Sequence, residues 1–196
     1  MNLHFQYETN LWLIINMGTR EKLEKKLNDY LVLYPPEKKT TKLMIEFLKN
    51  DQDCFKRNNW NGHFTGSSWV LDETRSYVLM VHHRQLNLWL QPGGHADGRA
   101  DLLSVAIDET REETGLTRLK IISEEIFDLD IHEIPRYNDI PPHFHYDIRF
   151  LLEAKRIPNQ IKVSNESYDV RWININTVLH KNNESSINRM LNKISP

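Results

Sequence analysis

The sequence predicts an α/β fold standing behind a helical N-terminal extension, and three observations carry that reading. Residues 19–50 hold apolar side chains at helical spacing. From His63 onward the period shortens to the alternation of strands. Between two strand-rich segments lies one amphipathic helix, entered through Gly93-Gly94 and left at Gly115. The 196 residues have room for one domain of about 150 residues plus an extension. We divide them into a helical extension, residues 1–58, and a sheet domain, residues 59–196.

Taken in order, residues 1–17 read as an addition in front of a capped helix start at Gly18-Thr19, with Met17 as an alternative first residue. The run Leu11 to Ile15 is apolar but too short to span a bilayer, and it lacks the basic flank and cleavage site of a secretory leader. A cytoplasmic location is expected. Leu23, Leu27, Tyr30, Leu31 and Tyr34 then mark a first helix that Pro35-Pro36 ends. A second helix is expected from Thr40 or Thr41, with Leu43, Ile45, Phe47 and Leu48 for packing. Such a hairpin serves either as a packed extension or as a homodimer surface.

HFTGSSWVL and SYVLMVHHR read as strands joined by a turn at Asp72 to Arg75, and NLWLQPGG as a strand followed by a glycine loop. In the helix that follows, Asp101 suits the N-cap and Gly115 the C′ position. Leu103, Ala106, Ile107 and Thr110 recur as its packing face. LKIISEEIFDLDIHEI, HFHYDIRFLLEAK and VRWINI are strand-like, with Pro135 to Pro142 as a loop, and SSINRMLNKI is a final helix.

Composition narrows the function. Lys and Arg number 25 against 27 Asp and Glu, a net charge of -2, which argues against a nucleic-acid or membrane-surface binder. The single cysteine, Cys54, excludes an internal disulfide and fits a reducing compartment. No motif activates it, so it reads as a small buried hydrophobe.

The chemistry concentrates on the helix after the glycines. At about 100° per residue, Glu109, Glu112 and Glu113 share one arc, beside the packing face rather than on it. A solvated acidic face is the plain reading. Against it stand the glycine loop directly upstream and the absence of Lys four residues on. Grouped carboxylates beside a loop with exposed carbonyls suit a hard divalent cation such as Mg²⁺ and the phosphates that travel with it.

The stretch GGHADGRADLLSVAIDETREETGL resembles the Nudix box, Gly-x5-Glu-x7-Arg-Glu-apolar-x-Glu-Glu-x-Gly-apolar, matching it at Gly94, Glu109, Glu112, Glu113, Gly115 and Leu116. GHFTGSSWVL, LWLQPGGHADGR, IFDLDIHEIP, HFHYDIRFLL and RWI extend the likeness to a bacterial, MutT-like subgroup with a helical N-terminal extension. The resemblance implies an α/β/α sandwich with a mixed sheet and hydrolysis of a nucleoside diphosphate linked to another moiety. It further implies Mg²⁺ or Mn²⁺ held by Glu109, Glu112, Glu113 and the Gly93 carbonyl. In such proteins a late-loop acid can serve as general base. Glu166, six residues before Trp172, has that spacing, and Glu133 is the second candidate.

Three box positions depart: Ala100 for Glu, Asp108 for Arg and Thr110 for an apolar residue. With both members of the family's bracing ion pair replaced, no orphan charge remains. Arg111 is placed to pair with Asp108, and Asp101 to supply a carboxylate. Asp108 one turn before Glu112 sets like charges together, so folding is expected to lean on divalent metal. The alternative function is a catalytically weakened Nudix-fold module for nucleotide binding or regulation.

A second constellation follows from strand alternation. His143, His145, Asp147 and Arg149 share one face of their strand, as do Asp128, Asp130 and His132 of theirs. Three uses are open: a hydrogen-bonded network, substrate recognition, or a second metal site. His145 and Arg149, with Arg84 from a strand end, are the candidate contacts to a small nucleotide substrate; Trp89 is available for base stacking or for the core. Pro135 and Tyr137 lie too late to match the family's markers for ADP-ribose or dinucleoside polyphosphates.

Overall fold

A computed structural model describes residues 18–194; the stretch read as an addition, residues 1–17, lies outside them. The chain divides into two compact units, residues 1–52 and 53–196. In the first, helix α1 (Thr19–Leu33) is followed by a 3-10 turn (Pro35–Glu37) and helix α2 (Lys38–Asn50). Glu21 accepts the Gly18 N–H at 2.8 Å and so caps α1. Leu23, Leu27 and Tyr30 are buried on α1, and Thr41, Met44 and Leu48 on α2. The second helix therefore starts before Thr40 and turns Met44 inward, while Leu43 is 46% exposed. The prolines make a helical turn of their own, because proline is tolerated where an N–H is not needed.

The second unit holds an eight-stranded sheet: β1 (His63–Asp72), β2 (Tyr77–His83), β3 (Leu88–Leu90), β4 (Gly93–His95), β5 (Lys120–Ile121), β6 (Asp128–Ile134), β7 (His143–Ala154) and β8 (Ser167–Asn174). Helix α3 (Leu102–Thr114) separates β4 from β5, and α4 (Ser185–Ile194) ends the unit. The sheet is mixed. β1 runs parallel to β7 over its whole length and antiparallel to β2 and β4. β6 is antiparallel to β7 and β8 to β2. Residues 53–58 belong to this unit: Cys54, buried as expected, offers its carbonyl to the Phe64 N–H at 2.7 Å.

β1 is buried on both faces, which explains its near-continuous apolar and small composition. Val70 joins Leu79, Leu116 and Leu152 in one core cluster, with Leu103 and Ile107 of α3 against it. Trp69 joins Val78, Met80 and Ile173 in another, with Ile187 and Met190 of α4. The two helices thus cover opposite faces, and the expected α/β/α sandwich stands. Each fully buried Leu, Ile or Met here contributes roughly 1.5–3 kcal/mol.

Candidate active site

Helix α3 begins and ends where its caps dictate. The Asp101 carboxylate accepts the Ser104 N–H at 3.3 Å and its hydroxyl at 2.6 Å. Gly115 closes the other end at φ 74°, left-handed backbone that glycine adopts without strain. Asp101 is therefore committed as a cap and does not replace the missing box carboxylate. The buried face is Leu102, Val105, Ala106, Thr110, Glu113 and Thr114, rotated from the expected one, and Leu103 and Ile107 sit half-buried at its rim.

That rotation sorts the three glutamates. Glu113 lies on the packing face, 7% exposed, not beside it, and its Oε2 accepts the Gly93 N–H at 2.9 Å. Glu109 is half-buried against Gly94, where an added Cβ would lie 2.4 Å from its carboxylate, so a larger residue there would push the Glu109 side chain aside. Glu112 is exposed. The two glycines are not a loop but the start of β4, Gly94 facing Gly66 and Gly93 facing Ser67 across β1.

The electrostatics are those of a site short of positive charge. Burial, then Glu112, Glu166 and Asp97, raise the Glu109 pKa to about 7. Burial raises Glu113 to about 8 against the Gly93 bond, with Glu109 and Glu166 adding to it. Glu166 is thus within electrostatic reach of both box acids, although it comes from the loop before β8. Arg84 holds that loop: its Nε donates to the Asn165 carbonyl at 3.1 Å and its terminal nitrogen to that of Ser167 at 2.9 Å. The Arg84 N–H donates to the Glu166 carbonyl at 2.9 Å, and the guanidinium lies 4.6 Å from the Tyr168 ring centroid.

Asp108 is not a repelling neighbour of Glu112, as the sequence suggested. Arg99 pairs with it at 2.9 Å and Arg111 at 3.5 Å. The like-charge strain falls instead on Glu109, from Glu112, Glu166 and Asp97, and on Glu113, from Glu109 and Glu166. Glu133 lies within β6 opposite Phe144, solvent-exposed, and nothing links it to the box acids.

The strand polar faces do meet. Asp128 opposes Arg149, Asp130 opposes Asp147, and His132 opposes His145. Arg149, 3% exposed, is taken up by Asp147 at 2.7 Å, Asp128 at 3.1 Å and Asp130 at 3.4 Å. Burial opposes its charge, but those carboxylates outweigh it and raise its pKa. The arrangement makes Arg149 a brace rather than a side chain offered to substrate. Arg189 and Lys193 of α4 reach Asp128 at 2.8 and 2.6 Å. Thr65, Ser67 and Gln91 donate to Asp147 at 2.9, 2.7 and 3.2 Å.

His145 belongs to the other end of the same strands, beside His63, His95, His132 and His143. Trp89 stacks on His82 with centroids 4.9 Å apart and packs on the α4 side of the core. The sequence reading noted His63 only through the resemblance and missed His95 and the grouping of the two with His145, because each stands alone on its own strand and only the β1 pairings bring them together.

A family model described as the NUDIX domain matches residues 65–194. The asymmetrical bis(5'-nucleosyl)-tetraphosphatase of Rattus norvegicus is 30% identical over 106 residues, 54% of this chain and 69% of the rat protein. Its Mus musculus counterpart is 28% identical over 104 residues, 53% and 67% of the two chains. Among solved structures, a C. elegans Ap4A hydrolase binary complex aligns at TM-score 0.50 and 18% identity, covering 66% of this chain and 93% of that one. The MutT protein from Methanosarcina mazei Go1 aligns at 0.51 and 16%, covering 69% and 94%; these two likenesses speak for the fold. With the box acids on α3 and the matched span covering the sheet, α3 and α4, the chain belongs to the Nudix family of pyrophosphohydrolases.

Proposed function

We propose that this protein is a divalent-metal-dependent hydrolase that cleaves a pyrophosphate bond in a nucleoside diphosphate linked to another moiety. The observation that carries the reading is the placing of Glu109 against Gly94 and of Glu113 on the Gly93 N–H, with pKa values raised to about 7 and about 8 by burial and by neighbouring carboxylates that include Glu166. Carboxylates crowded in this way fit a hard cation, since its charge would offset both the burial and the repulsion. Glu109, Glu112, Glu113 and the Gly93 carbonyl would hold Mg²⁺ or Mn²⁺. Such an ion, when bound, neutralises phosphate charge and lowers the pKa of water.

The remaining work falls to the chain. Glu166, on a loop fixed by Arg84, is the general base that takes the proton from the attacking water. The likeness to the two bis(5'-nucleosyl)-tetraphosphatases puts dinucleoside polyphosphates first among substrates to try. ADP-ribose, nucleotide sugars, NADH and oxidised deoxynucleotides complete the panel. It is run with Mg²⁺ or Mn²⁺ on the wild type and on Glu112→Gln, an exposed change that leaves the core intact. Turnover that Glu112→Gln abolishes supports the proposal. Nucleotide binding without turnover on any member supports the regulatory-module reading, which Ala100 and Asp108 favour.

A further inference from the structure

His63, His95 and His145 come from three strands that the sequence separates widely, yet their ligand nitrogens all lie within 4.8 Å of one another. The registers explain why. His63 is the direct parallel partner of His145, and His95 is the partner of Thr65, one step along the same face of β1. Ring centroids are 4.8 Å apart for His63 and His145 and 5.1 Å for His95 with each of the others. Among the described residues this is the one set of three or more His, Cys, Asp or Glu side chains gathered so closely. The box glutamates on α3 are not.

In the polar half of the same sheet face the carboxylates around Arg149 are partnered, but in the histidine half a ring nitrogen is not. His63 is 1% exposed. Its Nδ1 faces the Asn59 carbonyl at 3.3 Å, while its Nε2 is buried with no hydrogen-bond partner. The carbonyl calls for a proton on Nδ1 and so leaves the Nε2 lone pair free, the arrangement by which a supporting hydrogen bond prepares a histidine ligand. A fourth imidazole supports the group: His143 Nδ1 is held by the Pro141 carbonyl at 2.9 Å, and its Nε2 is 3.3 Å from that of His145.

We propose that His63, His95 and His145 bind a borderline-soft divalent transition ion, Zn²⁺ in the first instance, at a site separate from the box carboxylates. Imidazole suits Zn²⁺ and its neighbours in the first transition series and suits Mg²⁺ poorly. Nitrogens at roughly 2.0–2.1 Å from zinc in a tetrahedron lie about 3.3–3.4 Å apart. The three rings therefore need to close by somewhat more than an ångström, within reach of side-chain rotation. Three protein ligands leave one tetrahedral position for water, the His143 imidazole or a ligand oxygen. The site lies on the face of β1 that turns away from α3, so it is occupied independently of the box.

The test strips the full-length protein with chelator, adds Zn²⁺ in the presence of excess Mg²⁺, and measures bound zinc by calorimetry and elemental analysis. Co²⁺ substituted for Zn²⁺ adds a tetrahedral absorption signature. Wild type and Glu112→Gln are expected to bind one equivalent each. His145→Ala and His95→Ala are expected to lose more affinity than the roughly 10–100-fold that a missing supporting contact costs. The short β4 makes His95→Ala the safer of the two for folding, which the melting curve of the metal-free variants checks. Zinc that excess Mg²⁺ displaces, zinc bound equally by a folded His95→Ala, or no zinc at all would overturn the assignment.

Discussion

Glu113 reaches from the last turn of α3 to the first residue of β4, where it takes the Gly93 N–H at 2.9 Å. One side chain thereby fastens helix to strand, and its surroundings disfavour the charge it takes on above about pH 8. Glu113→Gln keeps an oxygen for that N–H and removes the charge. The variant should melt higher than wild type at alkaline pH without metal, yet lose at least the roughly 10–100-fold in activity that supporting groups of metal sites are worth. Paired melting and rate measurements decide it; a variant that is less stable and fully active would contradict this account.

Stability should pass through a maximum in pH. Folded Glu109 and Glu113 keep protons to about pH 7 and about pH 8, whereas unfolded carboxyls lose theirs near pH 4.3. Between those values the folded state binds more protons, so stability falls as pH rises. His145, through burial and then the neighbouring imidazoles, sits at about 2. His95, through burial and then Arg57, sits at about 4. Unfolded histidine titrates near 6.5, so these two groups withdraw stability as pH drops below that point. Melting scans in EDTA should peak near the slightly acidic middle, and Mg²⁺ should lift only the alkaline limb. An EDTA profile that climbs steadily into the alkaline range would be the wrong shape.

Arg84 and Glu166 should act as one unit. Glu166→Gln removes the proton acceptor and should lower kcat by about 10²–10⁴-fold with KM little changed. Arg84→Ala frees the Asn165–Ser167 loop and should lower kcat less. In the Glu166→Gln background, Arg84→Ala should add almost nothing, because the loop then carries no base to position. Full additivity of the two losses in steady-state kinetics would separate them.

Arg149→Met should cost about 3–5 kcal/mol, the usual penalty for stripping a buried ion pair of one partner. Among the described residues Asp147 keeps no other ion pair, whereas Asp130 retains Arg189 at 3.4 Å and Asp128 retains Arg189 and Lys193. Urea titration of the metal-free chain measures the loss, and a change under about 1 kcal/mol would mean the network is worth no more than a surface pair.

Local chemistry made much of this legible. Asp101 and Gly115 bracket α3 because cap preferences act within one turn. The alternation in HFHYDIRF named the polar face of β7 because a strand has a period of two. The helix rotation that buries Glu113 was not legible, since apolar spacing alone does not reveal that a carboxylate will be drawn in by a backbone N–H. Pairing distance hid the histidines: His63 and His145 become neighbours only through a parallel register, which no short window of sequence contains. Asp108 looked repulsive beside Glu112 until the fold brought Arg99 to it.

β1 works as a party wall. Phe64, Gly66, Ser68 and Val70 face the room that α3 occupies, while His63, Thr65, Ser67 and Trp69 face the room shared by the imidazoles, the Arg149 cluster and α4. Parity along ten residues therefore decides which compartment a substitution disturbs, and odd-numbered and even-numbered changes should fall into two separable families of phenotype.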